Sequence, residues 1–382
     1  MPALPCAGLV PVIYRREQII LFGVRLKIHG LIDFILKEWL LAASAAGFVL
    51  TSVYSKHFPD YSIREMQVLF ILFVLFVAVN GLQRSGLMAR ISRNIEKGNF
   101  LALKLVITTF FLSMLITNDA ILIVIIPLTL TFNITRRDIL VIFEALAANA
   151  GSALTPFGNP QNLYIYWYYA VSPKDFFMAI APFSLLFLII LAVASLAIDS
   201  KTGRRNKTTI QVLKKTAFIY TILLMTVLMV ILHVVPVTAG FIIIIYALLF
   251  DRKTLRVDYA LLFSFLFFFG LANNMKILLT TELRHAGHVF LFSALASQIM
   301  SNVPATLLFA KFTTNWQALL WGSNAGGFGS LFGSLANLIA YKLYVSDVRS
   351  NDAAAFTVKF LFIGYLAFFL AVALYFVLYG LQ

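Results

Sequence analysis

Apolar residues run along this chain in blocks near the ~20 residues that a helix needs to cross a bilayer, separated by short polar stretches. Blocks at about 37–55, 66–83, 139–168, 176–198, 212–234, 236–250, 258–275, 315–341 and 356–379 predict spanning helices. Two further blocks, 100–132 and 286–312, turn polar at their centres, at TNDA (Thr117–Ala120) and SNVPA (Ser301–Ala305). Their arms are too short to cross separately, so each block is expected to enter and leave by one face as a re-entrant helical hairpin.

The pattern also breaks inside two of the spans. The stretch NAGSALTPFGNPQNLYIY (149–166), laid without gaps over NAGGFGSLFGSLANLIAY (324–341), gives eight identical pairs in 18. They include Asn149/Asn324, Gly151/Gly326, Gly158/Gly333 and Asn162/Asn337, while Thr155/Ser330 exchanges one hydroxyl for another. A polar loop tip in water would explain one such stretch cheaply, but it explains matched pairs poorly. Backbone left unpaired in lipid costs several kcal/mol per group, so irregular backbone at membrane depth belongs where protein or a water-filled cavity receives it. The expected fold is therefore an all-α polytopic membrane protein of two inverted repeats, each with a re-entrant helical hairpin and a broken transmembrane helix. The first repeat covers 37–198 and the second 216–382, joined by a basic cytoplasmic linker, 199–215. Residues 1–36 form an N-terminal segment in which Arg15, Arg16, Arg25 and Lys27 among apolar residues suit a helix lying on the membrane surface.

Composition agrees with a membrane reading. Of 382 residues 61% are hydrophobic and only 12% charged, and the mean hydropathy is +0.91. Soluble domains carry about 25% charged residues. The net charge of +14 would suit a nucleic-acid partner, but the placement of the cations argues otherwise. With a cytoplasmic N-terminus, only Lys56, Arg64, Lys174, Lys276, Arg284 and Lys311 fall outside, and the other 24 of the 30 Lys and Arg fall inside. That bias is the positive-inside rule, and it points to an inner (plasma) membrane protein with no nucleic-acid partner. A single cysteine, Cys6, excludes an intrachain disulfide and a cysteine metal cluster. No HExxH, CxxC, GxSxG or Walker A pattern is present, so neither an enzyme nor a nucleotide-driven motor is expected on this chain.

Paired, interrupted hydrophobic segments in inverted halves are the sequence-level pointer to a transporter's binding site. Asn118 and Asn302 occupy the hairpin tips, beside Asp119 and Ser301, where an amide can ligate substrate or simply cap the returning helix. Asn149, Asn159, Asn162, Asn324 and Asn337 bracket the breaks, with turn chemistry as the alternative. Ser152, Thr155, Thr306 and Ser330 offer hydroxyls, and Gly158, Gly326 and Gly333 allow close backbone approach. Asp119 stands out, because an ionisable group at membrane depth is functional by default; Val303 replaces it in the second copy. Glu144 lies near the start of its helix and reads as an interfacial charge.

The combination of Thr117–Asp119 with Pro127, GNPQN (158–162), SNVPAT (301–306) and GSLANL (333–338) resembles the ion transporter superfamily of arsenite permeases, citrate and dicarboxylate symporters and some sodium/proton antiporters. The resemblance implies an elevator-type motion of a transport domain against a scaffold, often within a homodimer. It also implies substrate and Na⁺ sites at Asn118, Asn149, Asn302 and Asn324. The tips depart from the Ser-Asn-Thr of the dicarboxylate symporters, and the first half is one spanning helix short unless residues 14–36 insert. The expected function is secondary active transport of a small anion, an inorganic oxyanion or carboxylate, coupled to Na⁺ or H⁺ without a bound cofactor. The alternatives are a sodium/proton antiporter using Asp119 and the membrane subunit of an arsenite-type efflux pump.

Overall fold

The computed structural model describes residues 38–87, 90, 100–132, 134–198, 216–278, 283–347 and 352–380. The expected N-terminal surface segment, 1–36, and the whole of the basic linker, 199–215, lie outside these residues. The described chain has no β-strand and bounds fifteen α-helices. In the first half these are α1 (Trp39–Ser55), α2 (Ile63–Arg84), α3 (Leu101–Ser113), α4 (Asn118–Thr131), α5 (Arg137–Ala153), α6 (Pro160–Tyr168) and α7 (Pro173–Leu196). In the second they are α8 (Thr216–Ile231), α9 (Phe241–Phe250), α10 (Tyr259–Leu278), α11 (Ala286–Met300), α12 (Asn302–Phe309), α13 (Trp316–Gly326), α14 (Leu335–Val345) and α15 (Ala353–Tyr379).

Four helices, α2, α7, α10 and α15, are long and apolar enough to cross a membrane alone. Their starts are punctuated by local chemistry. Ser62 and Glu65 form a reciprocal capping box on α2, and Ser172 caps α7 ahead of Pro173. Asp352 accepts from the Ala355 amide at the head of α15. Large apolar side chains stay exposed along α7 (Ile189, Val193), α8 (Phe218), α9 (Leu249) and α15 (Phe362, Val377), several of them above 60%. A surface this apolar on every outer helix fits hydrocarbon, not water. The protein is a multi-pass membrane protein.

The segment expected at 236–250 resolves into a short 3₁₀ turn, Val237–Gly240, followed by α9. The remaining helices are interrupted where the polar signals stood, as expected. α3 and α4 (13 and 14 residues) are joined by residues 114–117, and α11 and α12 (15 and 8 residues) meet at Ser301. At ~1.5 Å per residue none of these reaches the ~30 Å of a hydrocarbon core. The broken spans come apart as α5/α6 and α13/α14. α5 packs on α3 and α13 on α11, while α14 lies against α4 and α5 and α6 against α12 and α13. The half-helix after each break is thus inserted into the other half of the protein.

Close approach makes this packing possible. A Cβ on Gly151 would sit 2.2 Å from the Phe110 carbonyl and 2.4 Å from Ser113 Oγ on α3. Its counterpart Gly326 would meet Ser297 on α11 at 2.5 Å. Small residues at these crossings are what let helices pack in a membrane.

Candidate functional site

Each break is held by one asparagine reaching back into its own gap. Asn162 Nδ2 donates to the carbonyls of Ala153 (2.9 Å), Ser152 (3.4 Å) and Thr155 (3.4 Å). Asn337 Nδ2 donates to the carbonyls of Gly327 (2.9 Å) and Ser330 (3.0 Å), which stand at the positions matching Ser152 and Thr155. Carbonyls that helix geometry would have satisfied are thereby satisfied by a side chain.

A second layer ties the halves together. Asn149 Nδ2 donates to Asn337 Oδ1 (2.9 Å), and Asn324 Nδ2 donates to Asn162 Oδ1 (2.8 Å). Asn149 Oδ1 accepts from Ser334 Oγ (3.0 Å) and Asn324 Oδ1 from Asn159 Nδ2 (3.3 Å), again at matching positions. The first residues of α4 and α12 join by the same rule: the Asn118 amide donates to the Gly158 carbonyl (3.2 Å) and the Asn302 amide to the Gly333 carbonyl (2.9 Å). The glycines permit this, since a Cβ at Gly158 would stand 2.3 Å from the Ser152 carbonyl oxygen and one at Gly333 2.6 Å from that of Gly326.

The N-termini of α4, α6, α12 and α14 consequently open on one cavity of about 100 Å³. Its lining includes Asn118 and Asp119, Pro160 and Gln161, Asn302 and Val303, and Ser334 and Leu335. Each terminus carries roughly half a positive charge from its aligned peptide dipoles. The rest of the wall comes from the starts of α1 (Glu38, Trp39) and α10 (Asp258, Ser264). Three carboxylates, Glu38, Asp119 and Asp258, line the cavity, and no Lys or Arg does among the described residues. Asp119 Oδ1 is buried without a hydrogen-bond partner. Asp258 is exposed and caps α10 by accepting from the Leu261 amide (2.9 Å), so the cavity opens at that end of α10.

The candidate residues therefore divide. Asn118, Asp119, Ser301 and Asn302 line the cavity. Asn149, Asn159, Asn162, Asn324 and Asn337 stand behind it and spend their amides on each other and on the breaks. The hydroxyls mostly bond away from it: Thr155 to the Met114 carbonyl (2.7 Å), Ser330 to that of Gln298 (2.8 Å), Thr306 to that of Asn302 (2.7 Å) and Ser152 to that of Asn149 (3.0 Å). Gly158, Gly326 and Gly333 provide approach and carbonyls. Ser301 itself holds φ +75°, an uncommon conformation for a residue with a Cβ, costing about 1–3 kcal/mol. Glu144 corrects an expectation. It is fully buried rather than interfacial, bonded through Oε1 to the Thr129 hydroxyl, with Oε2 unpartnered, because α5 begins at Arg137 and carries it two turns inward.

Gln161, Glu38, Asp258 and Ser264 line the cavity but were not singled out from the sequence. Gln161 lies within the quoted GNPQN motif, and Asp258 carries the signal of a helix cap; Glu38 and Ser264 have no local signature.

Comparison with known proteins follows the same lines. The citrate transporter family model matches residues 31–321, well over half of the chain. An uncharacterized transporter of Methanocaldococcus jannaschii is 36% identical over 306 residues, 76% of this chain and 84% of its own. The inner membrane protein YbiR of Escherichia coli is 32% identical over 287 residues, 70% and 77% of the two chains. A silicon efflux transporter of rice, Oryza sativa subsp. japonica, is 29% identical over 151 residues, 37% of this chain and 31% of its own. These relatives are described as transporters or membrane proteins and not as enzymes. With its polytopic helical fold and its two broken helices meeting at one cavity, the chain belongs to the citrate transporter family.

Proposed function

We propose that the protein is a secondary active transporter of a small anion, an inorganic oxyanion or carboxylate, coupled to Na⁺ or H⁺. The observation that carries this reading is the convergence of four helix N-termini on one cavity. In a site without cationic side chains, those dipoles and the amides of Asn118 and Asn302 are the available donors for an oxyanion. The matching family's description names citrate and one relative's name silicon, which leaves the substrate open, and the amide-rich wall favours a ligand rich in oxygen acceptors.

The three carboxylates supply the reason for coupling. An anion entering beside Asp119 meets like charge unless a proton or Na⁺ arrives with it. Each ligand then raises the affinity for the other, and this reciprocal free energy is what a symporter needs. The bonding pattern common to the two halves supports a pair of inverted repeats with re-entrant hairpins, moving as an elevator. The cavity mouth at Asp258 neighbours Arg252, Lys253 and Arg256, cations that the charge bias assigns to the cytoplasm, so the state described is inward-facing.

The experiment is transport current, with a pH dye alongside, from protein reconstituted in liposomes and offered arsenite, phosphate, sulfate, citrate and succinate with and without a Na⁺ gradient. The expected result is an ion-coupled flux for one anion class that Asn302→Ala abolishes. The unpartnered Oδ1 of Asp119 favours one second reading, a sodium/proton antiporter. There, no anion responds, Na⁺ pulses move protons, and Asp119→Asn ends the exchange.

A further inference from the structure

The opposite end of the molecule holds a larger cavity of about 570 Å³. Five segments build it: the head of α2 (Ser62, Arg64), the end of α6 (Tyr168, Tyr169), the last turns of α10 (Lys276), residues 283–284, and the turn after α12 (310–315). Asp258 and Lys276 are 18 residues apart on one helix, so this cavity stands ~27 Å along α10 from the mouth of the central one.

Its walls are cross-bonded. Tyr169 Oη donates to the carbonyls of Ala310 (3.0 Å) and Thr313 (2.9 Å), and Arg64 Nη1 donates to that of Tyr168 (3.1 Å). The Leu283 amide donates to the Phe312 carbonyl (2.7 Å) and Asn315 Nδ2 to that of Arg284 (2.6 Å).

Its charge is opposite to that of the central cavity. Arg64, Lys276, Arg284 and Lys311 line it, and no Asp or Glu does among the described residues. The Lys311 side chain is 8% exposed, paired with Glu65 at 2.7 Å and set over the Tyr168 ring, while Arg64, Lys276 and Arg284 are exposed at the rim. The positive-inside bias strips this face of cations, leaving six. Four of those six line one cavity, although Lys and Arg retained only for solubility would scatter over the outer loops.

We propose that this vestibule is an anion-binding site on the face opposite the central cavity's mouth, taking a soluble polyanion such as an inorganic oxyanion or a small carboxylate. It rests on the preceding reading only for the class of anion. A basic, concave rim raises the local anion concentration and the rate of encounter, an effect that falls steeply with ionic strength. A volume of this size falls within the range of small-molecule sites, ~300–1,000 Å³. The same chemistry would fit the phosphate of an anionic lipid, but the cross-bonded walls hold the rim cations around a concave cavity, which favours a soluble ligand.

The test is calorimetric titration of purified full-length protein with sulfate and, separately, citrate, at low and physiological ionic strength. It uses nanodiscs of phosphatidylcholine, with and without phosphatidylglycerol. Asn302→Ala removes a donor of the central site, and Lys276→Gln/Arg284→Gln neutralises the rim. Lys56→Gln/Lys174→Gln neutralises the two outer cations that do not line the cavity.

The expected result is anion binding that persists in Asn302→Ala, weakens about tenfold or more in Lys276→Gln/Arg284→Gln with a flatter salt dependence, and is unchanged in Lys56→Gln/Lys174→Gln. Lys276→Gln/Arg284→Gln and Lys56→Gln/Lys174→Gln should elute and melt as the wild type does, since the residues they substitute are exposed. Lys276→Glu should weaken binding further, a graded response that misfolding would not give.

Binding that Asn302→Ala abolishes and the rim variant spares would overturn the vestibule and leave the central site standing. Binding of neither probe by the wild type, or a rim effect that appears only with phosphatidylglycerol present, would overturn it as well. Flux in liposomes decides the transport reading separately, so the two can fail independently.

Discussion

Asn149 donates to Asn337 at 2.9 Å, and Asn324, its counterpart in the second half, donates to Asn162 at 2.8 Å. Each acceptor is itself the residue that holds a break closed. The two breaks are therefore locked through each other, and neither half can keep its irregular backbone without the other.

A matched loss of stability follows. Asn337→Ala removes a donor from the Gly327 carbonyl, which keeps only Asn149 Nδ2 at 3.4 Å, and from that of Ser330, which keeps the Gly333 amide at 3.2 Å, and it takes the Oδ1 acceptor from Asn149. Asn162→Ala removes the donor of the Ala153 carbonyl and takes the Oδ1 acceptor from Asn324. Buried groups left unsatisfied cost ~1–3 kcal/mol each. Both variants should lose about 2–6 kcal/mol, by similar amounts, in denaturant unfolding from detergent. A large effect at one position with none at the other would contradict the reciprocal lock.

The hairpin tips should separate in the same assay. Asn118 Nδ2 donates to Asn149 Oδ1 (3.0 Å), so Asn118→Ala cuts into the lock and lowers stability by about 1–2 kcal/mol. Asn302 lines the cavity, and its backbone amide, which bonds Gly333, survives the substitution. Asn302→Ala should unfold within about 0.5 kcal/mol of the wild type and still lose transport. Unfolding curves and flux on the same preparations check both.

How much of this was legible in the sequence follows from which signals are local. The helices and the points where they break were readable because hydropathy and Gly/Pro punctuation act over a few residues. The duplicated Asn-Ala-Gly and Phe-Gly motifs even gave the pairing of the breaks. What the sequence left hidden is the direction in which each side chain points. Asn302 and Asn337 look alike as candidates, yet one faces the cavity and the other faces the break. Glu144 looked interfacial because its helix start was placed near it, and the two turns from Arg137 carry it into the core. Glu38 and Asp258 reach the cavity only through the packing of α1 on α10.

Glu144 yields the next expectation. Gln in its place keeps an acceptor for the Thr129 hydroxyl and removes the need to desolvate an ionisable group, which is costly at membrane depth. Glu144→Gln should match or exceed the wild type in stability, whereas Glu144→Ala opens a hole and strands the hydroxyl, costing about 2–4 kcal/mol. Thermal melts in detergent across both variants decide it, and a strongly destabilised Glu144→Gln would show that the carboxyl has a use its neighbours do not reveal.

Glu65 and Lys311 bridge α2 to the turn after α12 at 2.7 Å, both nearly excluded from solvent, and Tyr169 bonds across to the same turn. Together they tie α2 and α6 to that turn, at the far end of α10 from Asp258, which lines the central cavity. Cys6 is the sole cysteine, so replacing it with Ser gives a clean background. In that background Phe332→Cys, on the cavity wall and half exposed, should react with an impermeant thiol reagent in inside-out vesicles and resist it in right-side-out ones. Removing one partner of a buried pair costs about 3–5 kcal/mol because the other charge is stranded. Glu65→Gln should therefore weaken the tie to α2 and raise labelling from the outside, and Lys311→Met in the same chain should restore much of the protection by removing the stranded charge. Labelling of Phe332→Cys from the outside alone, before Glu65 is touched, would reverse the assigned orientation.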